Sequence, residues 1–228
     1  MNQQSDPSGP VVLSYLSLRK AVGIIGLSLP FVLALGKVVL QGCGLQSSIS
    51  GYYYTDVRGV FVGALCAIGV FLMSVRGFDR RDQVAGGLAC LFAVGVALLP
   101  TTPDRGATRS DEIIGAFHLA FAALLFLTLA YFCLKLFILT DTPTPTPQKL
   151  QRNGVYRVCG YLILVSIFSI AVAALPQVKD RVAGLKPRFW LESVAVVAFG
   201  VAWLVKGEAI LKDEQAQTPV GAGTPGAD

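Results

Sequence analysis

Residues 113–139 read IIGAFHLAFAALLFLTLAYFCLKLFIL, a run in which His118 and Lys135 are the only imidazole and ammonium groups. As an α-helix it extends about 40 Å at 1.5 Å per residue, more than the roughly 30 Å hydrocarbon core of a bilayer. It should therefore tilt or project beyond the membrane. Five further apolar spans are separated from it by short charged loops: Ala21 to Leu40, Val57 to Val75, Val84 to Leu99, Val158 to Leu175 and Phe189 to Val205. Each is near the length that crosses a bilayer, and the third can be extended by Asp82 and Gln83. The expectation is an all-α integral membrane bundle of six transmembrane helices over residues 15–212. Tails at 1–14 and 213–228, rich in small and polar residues, have little to bury and are expected to be disordered.

Hydrophobic residues make up 54% of the chain and charged ones 14%, an imbalance that belongs to the membrane class. The net charge of +5 is explained by Lys and Arg at span ends and in loops, where they anchor to headgroups, and this excludes a nucleic-acid partner. Of the five cysteines, Cys66, Cys90, Cys133 and Cys159 fall inside spans and only Cys43 in a loop. With no CxxC or closely spaced Cys/His pair, they imply neither a disulfide framework nor a structural zinc site. The first fourteen residues lack the pattern of a cleavable signal, so the first span is expected to stay in the mature protein.

Six spans put both termini on one side. With the N-terminus inside, eleven of the 19 basic residues are cytoplasmic and eight are not, which favours cytoplasmic termini in a cell membrane. Even-numbered spans open near an acid (Asp56, Glu112, Glu192) and close near a base (Arg76, Lys135, Lys206), a pattern expected of three hairpins or of helix dipoles alone. Gly59, Gly63 and Ala67 in the second span, and Ala85, Ala89, Ala93 and Ala97 in the third, form small-residue stripes that predict a close contact between these two helices. Pro30 should bend the first span. The Thr-Pro alternation of residues 140–147 reads as an extended linker.

His118, the single histidine, lies about a turn and a half into the fourth span. Asp111 is two turns earlier on nearly the same face, which Gly115 and Ala122 keep narrow. An ionisable group at such depth is costly without a partner and so is a functional candidate, its alternative being a neutral imidazole bonded to a neighbouring helix. Glu192, a turn into the sixth span, is the second candidate, with an interfacial or capping carboxylate as its alternative. Residues 47–58, SSISGYYYTDVR, place Tyr52, Asp56 and Arg58 on the same side. They read either as an aromatic belt with helix-starting residues or as the mouth of a pocket, with Arg58 free to pair with Asp56 or Glu192.

One histidine is too few for a three-histidine zinc hydrolase or a bis-histidine haem within one subunit, and neither a Walker A loop nor a dinucleotide fingerprint is present. A Ser-His-Asp set drawn from Ser48 or Ser50, His118 and Asp111 lacks the GxSxG context. No metal or cofactor is implied.

The Ser-Ile-Ser-Gly-Tyr segment before the second span, the Arg-Gly-Phe-Asp-Arg-Arg turn at 76–81, Ala-Leu-Leu-Pro-Thr-Thr-Pro at 97–103 and His118 together resemble a bacterial family of six-span membrane proteins of unknown function. That family is similar in turn to the DRAM-like membrane proteins associated with autophagy and lipid organisation. The resemblance covers about residues 20–206, places Pro100 and His118 at characteristic positions, and implies a bacterial inner membrane but no reaction.

The leading expectation is a non-enzymatic protein that binds a lipid or small amphiphile in a polar pocket near the non-cytoplasmic face, formed by Tyr52, Asp56, Arg58, Asp111, His118 and Glu192. A small proton-linked transporter and an intramembrane hydrolase are the alternatives. Membrane lipids are the expected partners, and self-association is left open.

Overall fold

The computed structural model describes residues 9–42, 44–74, 80–139 and 145–211. Among them there is no strand, and seven α-helices follow in order: α1 (Gly9–Gln41), α2 (Arg58–Ser74), α3 (Arg80–Leu98), α4 (Arg109–Tyr131), α5 (Pro147–Ala173), α6 (Pro176–Val182) and α7 (Pro187–Lys206). A 3₁₀ turn at Ser50–Tyr54 precedes α2, and a π-helical turn at Phe132–Leu136 prolongs α4. Five segments are long and apolar enough to cross a membrane: Tyr15–Gln41, Arg80–Leu98, Arg109–Leu136, Pro147–Ala173 and Pro187–Lys206. The expected second span, α2, is apolar but only 17 residues long, about 26 Å at 1.5 Å per residue.

Several boundaries differ from expectation, and α5 begins at Pro147, well ahead of the expected Val158. α1 begins at Gly9, inside the stretch expected to be a tail; residues 1–8 and the tail at 213–228 lie outside the described residues. So do Cys43, most of the 76–81 turn and residues 140–144 of the Thr-Pro linker. The connection between α5 and α7, expected to be a plain loop, contains α6, which Pro176 starts at its first helical position. Pro30 lies inside α1, which continues through it.

Each long helix packs on its neighbour in the chain, from α1 through α5, and α7 packs on both α5 and α1, closing a ring of six. Trp203 fills the ring beside Phe132, Phe137 and Phe199, with ring centroids 5.2–6.1 Å apart. The outer surface is the reverse of a soluble protein's: Phe31, Leu35, Val39 and Phe168 are exposed large apolar side chains, a distribution suited to lipid rather than water.

One close helix crossing was not anticipated. A methyl group built on Gly200 of α7 would stand 2.5 Å from the Leu27 amide nitrogen and 2.9 Å from the Gly23 carbonyl oxygen, so the α1 and α7 backbones meet there because neither carries a side chain between them. α2 and α3 do form an extensive pair, and Ala85, Ala89, Ala93 and Ala97 are buried in it. The α2 half of the expected stripe is corrected, however. Gly59 and Gly63 face open space, and α3 is met instead by Gly69, against Ala93 and the Cys90 carbonyl, and by the Leu72 carbonyl, which lies over Gly86. Phe61, Leu65, Ile68 and Leu72 carry the buried face of α2, which turns Gly59 and Gly63 outward on a helix of 3.6 residues per turn.

Candidate functional site

At the end of the bundle where α4 and α7 begin, the N-terminal parts of these helices and the segments preceding α2 and α4 line a polar cavity of about 260 Å³. His118, Gly115 and Glu112 of α4, Arg188 and Glu192 of α7, and Ser50, Thr101 and Thr102 from the connections line it. α4 starts where it does because Thr108 caps it. The Thr108 hydroxyl accepts from the Asp111 amide, the Asp111 carboxylate accepts from the Thr108 amide at 2.9 Å, and acids in the first turn suit the helix dipole. α7 starts after Lys186, whose left-handed backbone (φ 50°) turns the chain into Pro187.

The two candidate ionisable groups each close an open backbone end. His118 is buried, and its Nδ1 lies 2.6 Å from the Leu99 carbonyl oxygen just beyond the end of α3. A carbonyl can only accept, so Nδ1 carries the hydrogen, and in the neutral ring Nε2 is left as an acceptor. The Glu192 carboxylate accepts a 2.7 Å hydrogen bond from the Ile49 amide at the head of the 3₁₀ turn and stands 4.0 Å from Arg188. His118 thus serves an orphan carbonyl and Glu192 an orphan amide, the two kinds of group that helix ends leave over. Gly115 lets the 100–103 segment lie on α4, since a methyl group there would collide with Thr102.

A second polar recess of about 580 Å³ adjoins the cavity through shared Thr101, Thr102 and Arg188 and adds Lys37, Asp104 and Arg105. Its walls are fastened by the Ser47 hydroxyl donating to Asp104 at 3.0 Å, the Tyr54 hydroxyl donating to the Thr101 carbonyl at 2.6 Å, and the Phe189 amide donating to the Ser47 carbonyl at 3.0 Å. Burial, and then the nearby Asp111 carboxylate, holds the Tyr54 phenol above its ordinary pKa, so it stays a donor to Thr101. Toward the centre of the ring, Ser50, Ala122 and Glu192 also line a small void whose other walls are apolar, among them Leu29, Phe61 and Leu125.

Of the six expected site residues, the structure brings His118 and Glu192 to one cavity. The other four sit elsewhere. Tyr52 is fully buried against Phe189, with ring centroids 6.2 Å apart, and burial raises its phenol pKa; it belongs to the core rather than to a mouth. Arg58 lies 3.9 Å over the Tyr53 ring and donates to the Tyr53 hydroxyl, so it pairs with neither Asp56 nor Glu192. Asp111 is committed to the capping box, and Asp56 is exposed at the start of α2; neither lines the cavity.

The residues missed are Arg188, Glu112, Thr101 and Thr102. Arg188 had a signal, for it stands four residues before Glu192, where side chains on a helix meet. Ser50 shares the cavity with His118, yet no hydrogen bond joins them among the described residues, so the hydrolase alternative lacks a primed nucleophile. The described residues hold no cluster of three or more His, Cys, Asp or Glu side chains placed to ligate a metal.

The class these features define is an all-helical protein with several helices able to cross a membrane, carrying a mixed-charge cavity at one end of its ring. Compared with known protein families, curated proteins and solved structures, the chain matches none.

Proposed function

We propose that the chain is a six-span membrane protein, α2 included, with both termini cytoplasmic, which binds a lipid or small amphiphile. The polar part of the ligand sits among His118, Arg188 and Glu192 near the non-cytoplasmic face. The observation that carries this reading is the cavity itself, where a buried imidazole, a carboxylate and a guanidinium meet beside Thr and Ser hydroxyls and border an apolar void. Arg188 offers a planar donor fork to an acidic oxygen, and Glu192 with Glu112 offers acceptors, so a headgroup bearing both donors and acceptors is matched on every side. α4 and α7 run unbroken past His118 and Glu192, which favours binding over a transport site built from broken helices.

Native mass spectrometry of the detergent-solubilised protein tests it. The wild type is expected to retain an amphiphile that His118→Ala and Arg188→Gln release, while His118→Gln, which can still donate to Leu99, keeps part of it. Unchanged retention in His118→Ala, with lowered thermal stability, would make the histidine a purely structural cap. Proton-linked transport is the second reading, favoured by two titratable groups in one cavity. Substrate uptake into proteoliposomes driven by a pH gradient and abolished in Glu192→Gln would select it.

A further inference from the structure

At the opposite end of the bundle, α3 and α4 part into an open groove of about 720 Å³. The two helices meet at Gly95, where the Phe121 ring occupies the space a side chain would take, and Phe92 lies beside it with ring centroids 6.1 Å apart. From that junction they diverge toward the start of α3. Val84, Leu88 and Phe92 form one wall, Leu124, Leu127 and Tyr131 the other, and Arg80 and Arg81 stand at the mouth.

Three properties select the occupant. From Arg81 to Phe92 the groove runs eleven residues, about 16 Å at 1.5 Å per residue, which is one leaflet of a roughly 30 Å hydrocarbon core. Its walls are almost wholly aliphatic and aromatic, with the Thr128 hydroxyl turned back onto the Leu124 carbonyl of its own helix. Two adjacent guanidiniums stand at the mouth; the donor fork of Arg80 matches the oxygens of a phosphate, and Arg81 adds positive charge beside it.

We propose that the α3–α4 groove binds an anionic phospholipid, with the phosphate on Arg80 beside the positive charge of Arg81 and one acyl chain lying along the groove to Phe92. In the orientation proposed above this is the cytoplasmic leaflet, where anionic lipids gather and basic pockets between helices hold them. The proposal rests on the bundle crossing a membrane. It is independent of the His118 cavity, which lies at the other end.

The test uses the full chain in detergent, offered phosphatidylglycerol or phosphatidylcholine of the same acyl chains, with bound lipid counted by native mass spectrometry. An Arg188→Gln background removes any contribution from the His118 cavity. The expected result is retention of phosphatidylglycerol about tenfold above phosphatidylcholine. That preference should vanish in Arg80→Gln/Arg81→Gln and in Leu88→Trp, which fills the groove from an exposed position without touching the core. Lys179→Gln/Arg181→Gln on α6, which removes the same charge elsewhere, should keep it. No preference in the Arg188→Gln protein with its groove intact would overturn the proposal. So would a preference that survives both groove variants, or one that the α6 pair abolishes equally.

Discussion

The two ends of the ring handle charge in opposite ways. At the Glu192 end both signs are present, with Asp104, Asp111, Glu112 and Glu192 near Lys37, Arg105 and Arg188, and short connections leave polar space between them. At the Arg80 end cations dominate, and several are folded inward. The Lys149 ammonium donates to the Phe137 and Leu139 carbonyls at 2.9 Å, Lys206 lies 5.4 Å over the Phe137 ring, and Arg152 is buried. There positive charge closes the carbonyl end of α4, where the helix dipole is negative, while the other end leaves its charged groups around a space. One end keeps a polar space, and the other ties cations to backbone carbonyls beside an apolar groove.

The largest effect is expected from disturbing the helices between the ends. Ala93→Leu forces a bulky group against Gly69 and should destabilise the solubilised protein by about 3 kcal/mol, lowering its thermal midpoint and releasing ligand at both ends. Gly63→Leu, facing open space, should change neither. A destabilised Gly63→Leu protein would mean that the outward face of α2 is covered.

Glu192→Ala sharpens the contrast, because it empties part of the cavity and strands the Ile49 amide. A loss of about 2 kcal/mol is expected, together with loss of the retained amphiphile. At the other end, Lys149→Ala frees two carbonyls and should cost about 1.5 kcal/mol while leaving amphiphile retention as in the wild type. If Lys149→Ala also releases the amphiphile, the ends are coupled and this contrast between them fails. Smallest of all, Thr108→Ala removes a helix cap for about 1 kcal/mol, and neither it nor Asp111→Ala should alter retention, since both residues lie outside the cavity lining.

The helices were legible because a lipid environment demands long apolar runs, and such runs have few alternatives. The span expected at Val57 to Val75 forms a helix at Arg58–Ser74. The faces of the helices were less legible. Small residues four apart announce a flat strip without naming its neighbour, and only the buried Phe61, Leu65, Ile68 and Leu72 reveal which side of α2 turns inward. Half of the site escaped for a related reason. The partners of His118 and Glu192 are the Leu99 carbonyl and the Ile49 amide, backbone groups that every residue possesses. The three tyrosines looked alike, yet the tight 3₁₀ turn sends Tyr52 into the core, Tyr53 to Arg58 and Tyr54 to Thr101.

The bond between Ile49 and Glu192 joins residues 143 positions apart, and this separation has a consequence for how the protein is made. At synthesis rates of about 5–20 residues per second, roughly 7–30 s pass between the emergence of one partner and the other. Throughout that interval the glycine face of α1 has no α7 to lie against, and the cavity lacks Glu192 and Arg188. While α2 to α5 are being made, the surface that α1 shares with α7 therefore stays open.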